Sequence, residues 1–148
     1  MVALGVIAVL PLGIAAAAGG GQGGLDPTFG KGGKVRTVVG DGDSGADALV
    51  IQNNGKLVAA GDSWPGRLTL LRYDADGKLD RSFGKHGKVT DPRMAGAVAL
   101  VIQRDGKLVA AGNGSGGRYN DFDLVRYRPN GSPDGIRMSQ ISRQIRLL

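Results

Sequence analysis

A chain of 148 residues, with 19 Lys and Arg against 13 Asp and Glu for a net charge of +6, is long enough for one domain with its own core. Only 5% of its residues are aromatic while 27 are glycine, which disfavours a helical bundle and calls for short Val, Leu, Ile and Ala strands joined by tight turns. The basic residues are spread along the chain without interleaved aromatics, which speaks against a nucleic-acid partner, and the absence of cysteine excludes disulfides, thiolate metal sites and a lipoprotein anchor.

Residues 1–18, MVALGVIAVLPLGIAAAA, are apolar but are broken by Gly5, Pro11 and Gly13, so no stable membrane span is expected there. The small residues Ala15 to Ala18 offer a cleavage site of the kind that ends an export signal. No Lys or Arg precedes the apolar run, which leaves an upstream start or a retained weak anchor as alternatives. Residues 19–24, GGGQGG, read as a flexible linker.

An internal repeat organises the rest of the chain. LDPTFGKGGKV at Leu25 to Val35 returns as LDRSFGKHGKV at Leu79 to Val89, with eight of eleven positions identical. QNNGKLVAAG at Gln52 to Gly61 returns as QRDGKLVAAG at Gln103 to Gly112, with eight of ten identical. LLRYDADGKLD at Leu70 to Asp80 returns as LVRYRPNGSPD at Leu124 to Asp134. The outer pairs are offset by 54 residues and the middle pair by 51, as a short deletion and a matching insertion in loops would produce. Repeat 1 is therefore residues 25–78 and repeat 2 residues 79–132, and residues 133–148 hold the degenerate start of a third repeat and a basic tail.

Within each unit the pattern predicts four strands. They are Lys34 to Val39 with its short copy Lys88 to Thr90, Ala46 to Gln52 with Ala97 to Gln103, Lys56 to Ala60 with Lys107 to Ala111, and Leu68 to Tyr73 with Phe122 to Tyr127. Asn54-Gly55 and Asp105-Gly106 favour two-residue hairpin turns, and the third strand is expected to stop at Gly61 and Gly112. Runs such as Ala48 to Ile51 and Ala99 to Ile102 are apolar on both faces and need cover above and below. The expected fold is all-β: two four-stranded antiparallel β-meander repeats, propeller-blade-like, in an incomplete propeller or open solenoid.

The combination L-D-x-[ST]-F-G-x-x-G-K-V, A-x-x-I-Q-x-x-G-K-L-V-A-A-G and L-x-R-Y-x-x-[DN]-G, carried by Leu25 to about Asp134, resembles the delta-60 repeat. That resemblance implies a tandem, propeller-like repeat of secreted or surface proteins of bacteria, with no defined catalytic residues. It also implies that further repeats of the same type, or a homo-oligomer, complete the array. Arg137 and Met138 stand where Phe83 and Gly84 stood, and the sequence turns to IRMSQISRQIRLL, as the end of a truncated or frame-shifted gene would. Ile141, Ile145 and Leu148 share one face if that tail is helical.

Candidate sites are few. Asp74, Asp76 and Asp80 have the spacing of a calcium loop, but the second copy replaces the first carboxylate with Arg128 and the second with Asn130, which favours a hairpin turn. Asp41, Asp43 and Asp47 form an acidic loop without a counterpart. His86, the sole histidine, replaces Gly32 and has no nucleophile or second base beside it in sequence. Phe29 and Phe83 recur at one repeat position and read either as ligand contacts or as plugs between neighbouring blades. Asn113-Gly-Ser115 and Asn130-Gly-Ser132 match the glycosylation sequon but read as turns. Trp64 lies in a loop without a repeat partner and is the best single candidate to touch a ligand such as a surface polysaccharide or protein. The expected function is that of a non-enzymatic exported repeat scaffold with a structural or binding role at the cell surface. The alternatives are a calcium-dependent adhesion or carbohydrate-binding module, and part of a propeller hydrolase or lyase.

Overall fold

Short β-branched and leucine-rich runs separated by Asx-Gly turns fold as consecutive antiparallel hairpins. In the computed structural model, which describes residues 23–115 and 121–137, these runs form eight strands. They are β1 (Ser44–Ile51), β2 (Leu57–Ser63), β3 (Arg67–Tyr73), β4 (Lys88–Asp91), β5 (Ala99–Ile102), β6 (Leu108–Asn113), β7 (Phe122–Tyr127) and β8 (Pro133–Arg137). Two separate four-stranded antiparallel sheets result, ordered β1-β2-β3-β4 and β5-β6-β7-β8. No helix occurs among the described residues, and none there is long and apolar enough to cross a membrane. The apolar segment at residues 1–18, most of the glycine-rich linker and the tail from residue 138, including its expected helix face, lie outside the described residues.

The expected turns are one residue longer than their dipeptides suggested. Gly55 N–H donates to Gln52 O and Gln52 N–H donates to Lys56 O, both at 2.8 Å, which encloses the three residues 53–55. A two-residue type I′ turn would need positive φ at both central residues, and here Gly55 alone has it, at 79°. Asn54 instead uses its side chain to accept the Lys56 N–H at 3.2 Å. The same hydrogen bonds recur at Gln103 to Lys107, Asp74 to Lys78 and Arg128 to Ser132.

Strand ends differ as well. β2 and β6 run through Gly61 and Gly112 rather than stopping there. A side chain at either glycine would run into the carbonyl of Gly45 or Gly96, so these glycines admit a close backbone approach inside the sheet. In the first sheet that approach lies beside a bulge in β1, where Asp47 is left out of the pairing between Ala46 and Ala48.

The main correction concerns residues 34–39. They do not form a strand of the first sheet; the fourth strand is β4, from the next repeat, paired through Leu70↔Val89 and Leu71↔Lys88. Each sheet is thus completed by the chain that follows it: the turn after β3 folds back through the Tyr73↔Leu79 bridge and brings the following chain along the free edge of β3. In the second sheet β8, from the degenerate third copy, takes that edge. Residues 34–39 instead lie across the outer face of the first sheet, where Tyr73 Oη donates to Thr37 Oγ1 at 2.8 Å. The equivalent contact in the second repeat joins the sheets, with Tyr127 Oη donating to Asp91 Oδ2 at 3.0 Å.

One core lies between the two sheets. From the first come Val58, Ala60, Leu68 and Leu70; from the second come Leu100, Leu108, Ala110, Val125 and Tyr127. Phe83, Met94 and Ala97, from the connecting chain, complete it. Repeat-equivalent positions behave oppositely on the outside. Leu68 is fully buried while its counterpart Phe122 is 75% exposed, and Leu100 is buried while its counterpart Leu49 is 61% exposed. Identical unit faces are covered where a neighbour exists and open where it does not.

This asymmetry predicts unequal mutational costs. Leu68→Ala should destabilise the protein by about 2–5 kcal/mol. Phe122→Ala, at the same repeat position, should change stability by no more than about 0.5 kcal/mol. Urea unfolding of both variants, at a concentration low enough for the chain to be monomeric, checks the contrast, and equal costs would contradict the stacked arrangement.

Candidate functional site

The densest polar arrangement gathers residues that recur in both repeats. Asp80, on the loop after β3, is 7% exposed and sits beneath the β2–β3 surface. Its Oδ2 accepts from Lys56 Nζ at 2.6 Å and from Arg72 Nε at 2.8 Å, while Oδ1 accepts from the Ser82 N–H at 3.0 Å and from Ser82 Oγ at 2.7 Å. Arg72 is shared out further, donating to Pro129 O at 2.7 Å, to Ser82 Oγ at 3.1 Å and to Gln52 Oε1 at 3.4 Å. Its guanidinium carbon lies 4.7 Å from the centre of the Phe83 ring. Arg72 belongs to the first sheet and Pro129 to the β7–β8 turn of the second, so this clasp ties the two together.

Phe83 is fully buried between Arg72 and Gly131, where any side chain on the glycine would strike the ring. Of the two readings of this repeat position, the structure therefore places Phe83 as a plug between sheets. Phe29, its counterpart, is half-buried against the Gly77 turn. The second repeat carries the clasp in altered form: Arg126 Nε lies 2.7 Å from Asp134 Oδ2 and Lys107 Nζ lies 3.4 Å from the same oxygen.

The three carboxylates with calcium-like spacing are each drawn to a cation of the protein. Asp74 pairs with Lys56 at 3.0 Å, Asp76 with Lys78 at 2.8 Å, and Asp80 with Lys56 and Arg72. Among the described residues no group of three or more His, Cys, Asp and Glu side chains is placed to hold a metal ion. The hydrogen bonds from Lys56 and Ser82 hold the Asp80 carboxyl well below the usual carboxylate range. Burial opposes ionisation of Asp91, yet the hydrogen bonds from Arg93 and Tyr127 outweigh it and keep that carboxyl low as well. The Tyr127 hydroxyl is pushed up by burial and by the neighbouring Asp91 charge.

The remaining candidates are scattered. His86 is exposed on a turn and adopts a positive φ of 56°, matching the 61° of Gly32, whose position it takes. Asp41 and Asp43 lie in the exposed loop before β1, and Asp47 in its bulge. Asn113 and Asn130 are exposed at strand and turn ends. Trp64 is 70% exposed in the β2–β3 loop; its backbone N–H donates to Asp43 O at 2.9 Å and its side chain packs on Gly42, which has no room for a Cβ. The indole is thus held as a flat outward surface beside the acidic loop. On the same outer side, a cleft of about 260 Å³ lies between residues 35–39 and the first sheet, lined by Thr37, Val39, Asp62, Thr69, Leu71 and Tyr73.

Lys56, Arg72 and Gln52 were not singled out as a group from sequence. The signal was present, since Gln-x-x-Gly-Lys, Leu-x-Arg-Tyr and the Asp of Leu-Asp-x-Ser/Thr-Phe each occur twice, but nothing local in the sequence says that three separate segments converge.

A family model described as a beta-propeller domain of unknown function (DUF5122) matches residues 52–83 and 103–135. The first matched segment begins at Gln52 of the clasp and ends at the Phe83 plug, so the match supports a β-propeller repeat family built on this unit. No curated protein and no solved structure matches the chain.

The depressed Asp80 pKa makes acid stability a direct readout of the clasp. The contribution of this carboxylate is complete above the unfolded value of about 3.9 and is lost as pH falls below it. Asp80→Asn should therefore cost roughly 3 kcal/mol at neutral pH and flatten the acid limb of the stability profile, measured by thermal unfolding between pH 2 and 7 at intervals of about one unit. Since the Asp74 to Asp80 loop already pairs with Lys56, Lys78 and Arg72, chelation of calcium should leave the melting temperature unchanged; a fall on chelation, restored by Ca²⁺, would instead assign the loop to the metal.

Proposed function

We propose that the chain is a delta-60-type repeat protein, exported by a bacterium to its surface, where it acts without catalysis as a stacked-sheet scaffold with a binding role. The observation that carries this reading is the recurrence of one sheet unit with two apolar faces, each buried where the two sheets meet and carrying exposed apolar side chains on the outer sides. Charged groups common to the two repeats pair with one another, and Arg72, held by Asp80, reaches on to Pro129 of the second sheet. The export part of the reading rests on residues 1–18.

Binding falls to the loops, and Trp64 is the contact this reading assigns. An aromatic held flat and 70% exposed suits the face of a sugar ring or an apolar side chain, so a surface polysaccharide or protein ligand fits it. Expressed in a bacterium with a C-terminal epitope, the chain should reach the medium or the cell surface, where external protease removes the epitope. Trp64→Ala should reduce its retention on isolated cell-wall polysaccharide about tenfold, equivalent to about 1.4 kcal/mol, with no loss of melting temperature. An epitope confined to the cytosol would contradict the surface role, and undiminished retention would remove Trp64 from it.

A further inference from the structure

The segment Asp26 to Lys34 is a second, unused copy of the piece that locks the two sheets together. Its internal geometry is that of Asp80 to Lys88. Asp26 Oδ1 accepts from the Thr28 N–H at 2.9 Å and from Thr28 Oγ1 at 2.6 Å, as Asp80 Oδ1 does from Ser82. Gly30 N–H donates to Asp76 O at 2.8 Å, and Gly84 N–H donates to Asn130 O at 2.9 Å. Lys31 N–H reaches Lys34 O at 2.8 Å, and Lys85 N–H reaches Lys88 O at 2.7 Å. One thing differs. Asp80 receives Lys56 and Arg72, whereas Asp26 is exposed and no Lys or Arg among the described residues pairs with it. Residues 1–24 contain no Lys or Arg.

A matching seat exists at the other end of the molecule. Lys107 and Arg126 occupy the repeat positions of Lys56 and Arg72, and the edge beside them is held by β8. That strand is a poor substitute for β4. β4 pairs with β3 over four successive residues, whereas β8 pairs with β7 only at Val125↔Arg137 and Tyr127↔Pro133, with an irregularity between them. In sequence, β8 carries Asp134 but has Ile136 and Arg137 where Ser82 and Phe83 stand. Arg126 Nε, although 2.7 Å from Asp134 Oδ2, is buried without an aligned hydrogen bond.

The faces around these two ends correspond. The outer face of the second sheet presents Val101, Val109, Ala111, Phe122 and Leu124, the counterparts of Val50, Val58, Ala60, Leu68 and Leu70. Those counterparts are the ones the second sheet covers inside the molecule. The outer face of the first sheet presents Leu49, Leu57, Ala59, Leu71 and Tyr73, the counterparts of the residues that do the covering. The internal interface therefore specifies its own continuation.

We propose that copies of this chain associate head to tail. Residues 26–39 of one copy take the β7 edge of another, Asp26 replaces Asp134 between Lys107 and Arg126, and Phe29 plugs over Arg126. This inference rests on the stacked-sheet reading and names the second copy as its partner. Such a contact joins unlike surfaces, so it propagates or closes into a ring. A ring of roughly two to four copies would hold four to eight sheets, the number found in closed propellers.

The test uses the full chain by light scattering and native mass spectrometry at about 1–100 μM, the range in which moderate complexes form. The unaltered chain should form discrete oligomers. Asp26→Asn, which keeps the turn but removes the charge, and Phe122→Asp, at the opposite end, should each raise the dissociation constant at least about tenfold, equivalent to about 1.4 kcal/mol. Mixed together, the two variants should form a dimer and stop there, because each retains one intact end. Circular dichroism confirms that both variants keep the β-sheet signal of the parent. A monomeric parent chain at the highest concentration would overturn the proposal. Oligomers unaffected by either substitution would also overturn it, while leaving the surface scaffold reading untouched.

Discussion

Two sheets of this protein hide their apolar faces only against each other. Among the described residues neither has a helix or a second layer of its own to cover it, so Val58, Leu68 and Leu70 on one side and Leu108, Val125 and Tyr127 on the other form a single shared core. The polar clasp arises from the same constraint. A buried carboxylate such as Asp80 is tolerable only with its charge and lone pairs satisfied, and Lys56, Arg72 and Ser82 satisfy them while drawing three chain segments together. Phe83 then fills the gap beneath Arg72, and the guanidinium reaches on to Pro129 of the next sheet.

Much of this architecture was legible because the sequence contains its own comparison. Alternation within Leu68 to Tyr73 and Phe122 to Tyr127, and the Asx-Gly pairs between runs, located seven of the eight strands to within a few residues. Three features were not legible. The span of each sheet is displaced from the span of each repeat, because Lys88 to Asp91 pairs backward with β3 rather than forward; periodicity marks strands but does not say which partner a terminal strand chooses. Gly61 and Gly112 looked like strand ends, whereas they are gaps left for the carbonyls of Gly45 and Gly96 across the ladder. The calcium-like spacing of Asp74, Asp76 and Asp80 gave no hint that Lys56 and Arg72, distant in sequence, would meet them.

The candidate ligand contact was legible for a different reason. Trp64 stood out as a large aromatic in a loop that the second repeat does not reproduce, and the fold leaves it exposed on the acidic Gly40 to Ser44 loop. Within the paired repeats, by contrast, recurrence marks structure: Arg72 and Phe83, both in recurring motifs, sit at the junction of the two sheets. For a repeat protein this inverts the usual search, since binding groups are to be sought where the copies differ.

If the shared core is what holds both sheets, neither can persist alone, and native-state hydrogen exchange measures this directly. Under increasing denaturant, the slowest amides of β2 and β3 and those of β6 and β7 should converge on one opening free energy, equal to that of global unfolding. Protection that survives in one sheet after the other has opened would contradict the account, because it would show a sheet that covers its own apolar face.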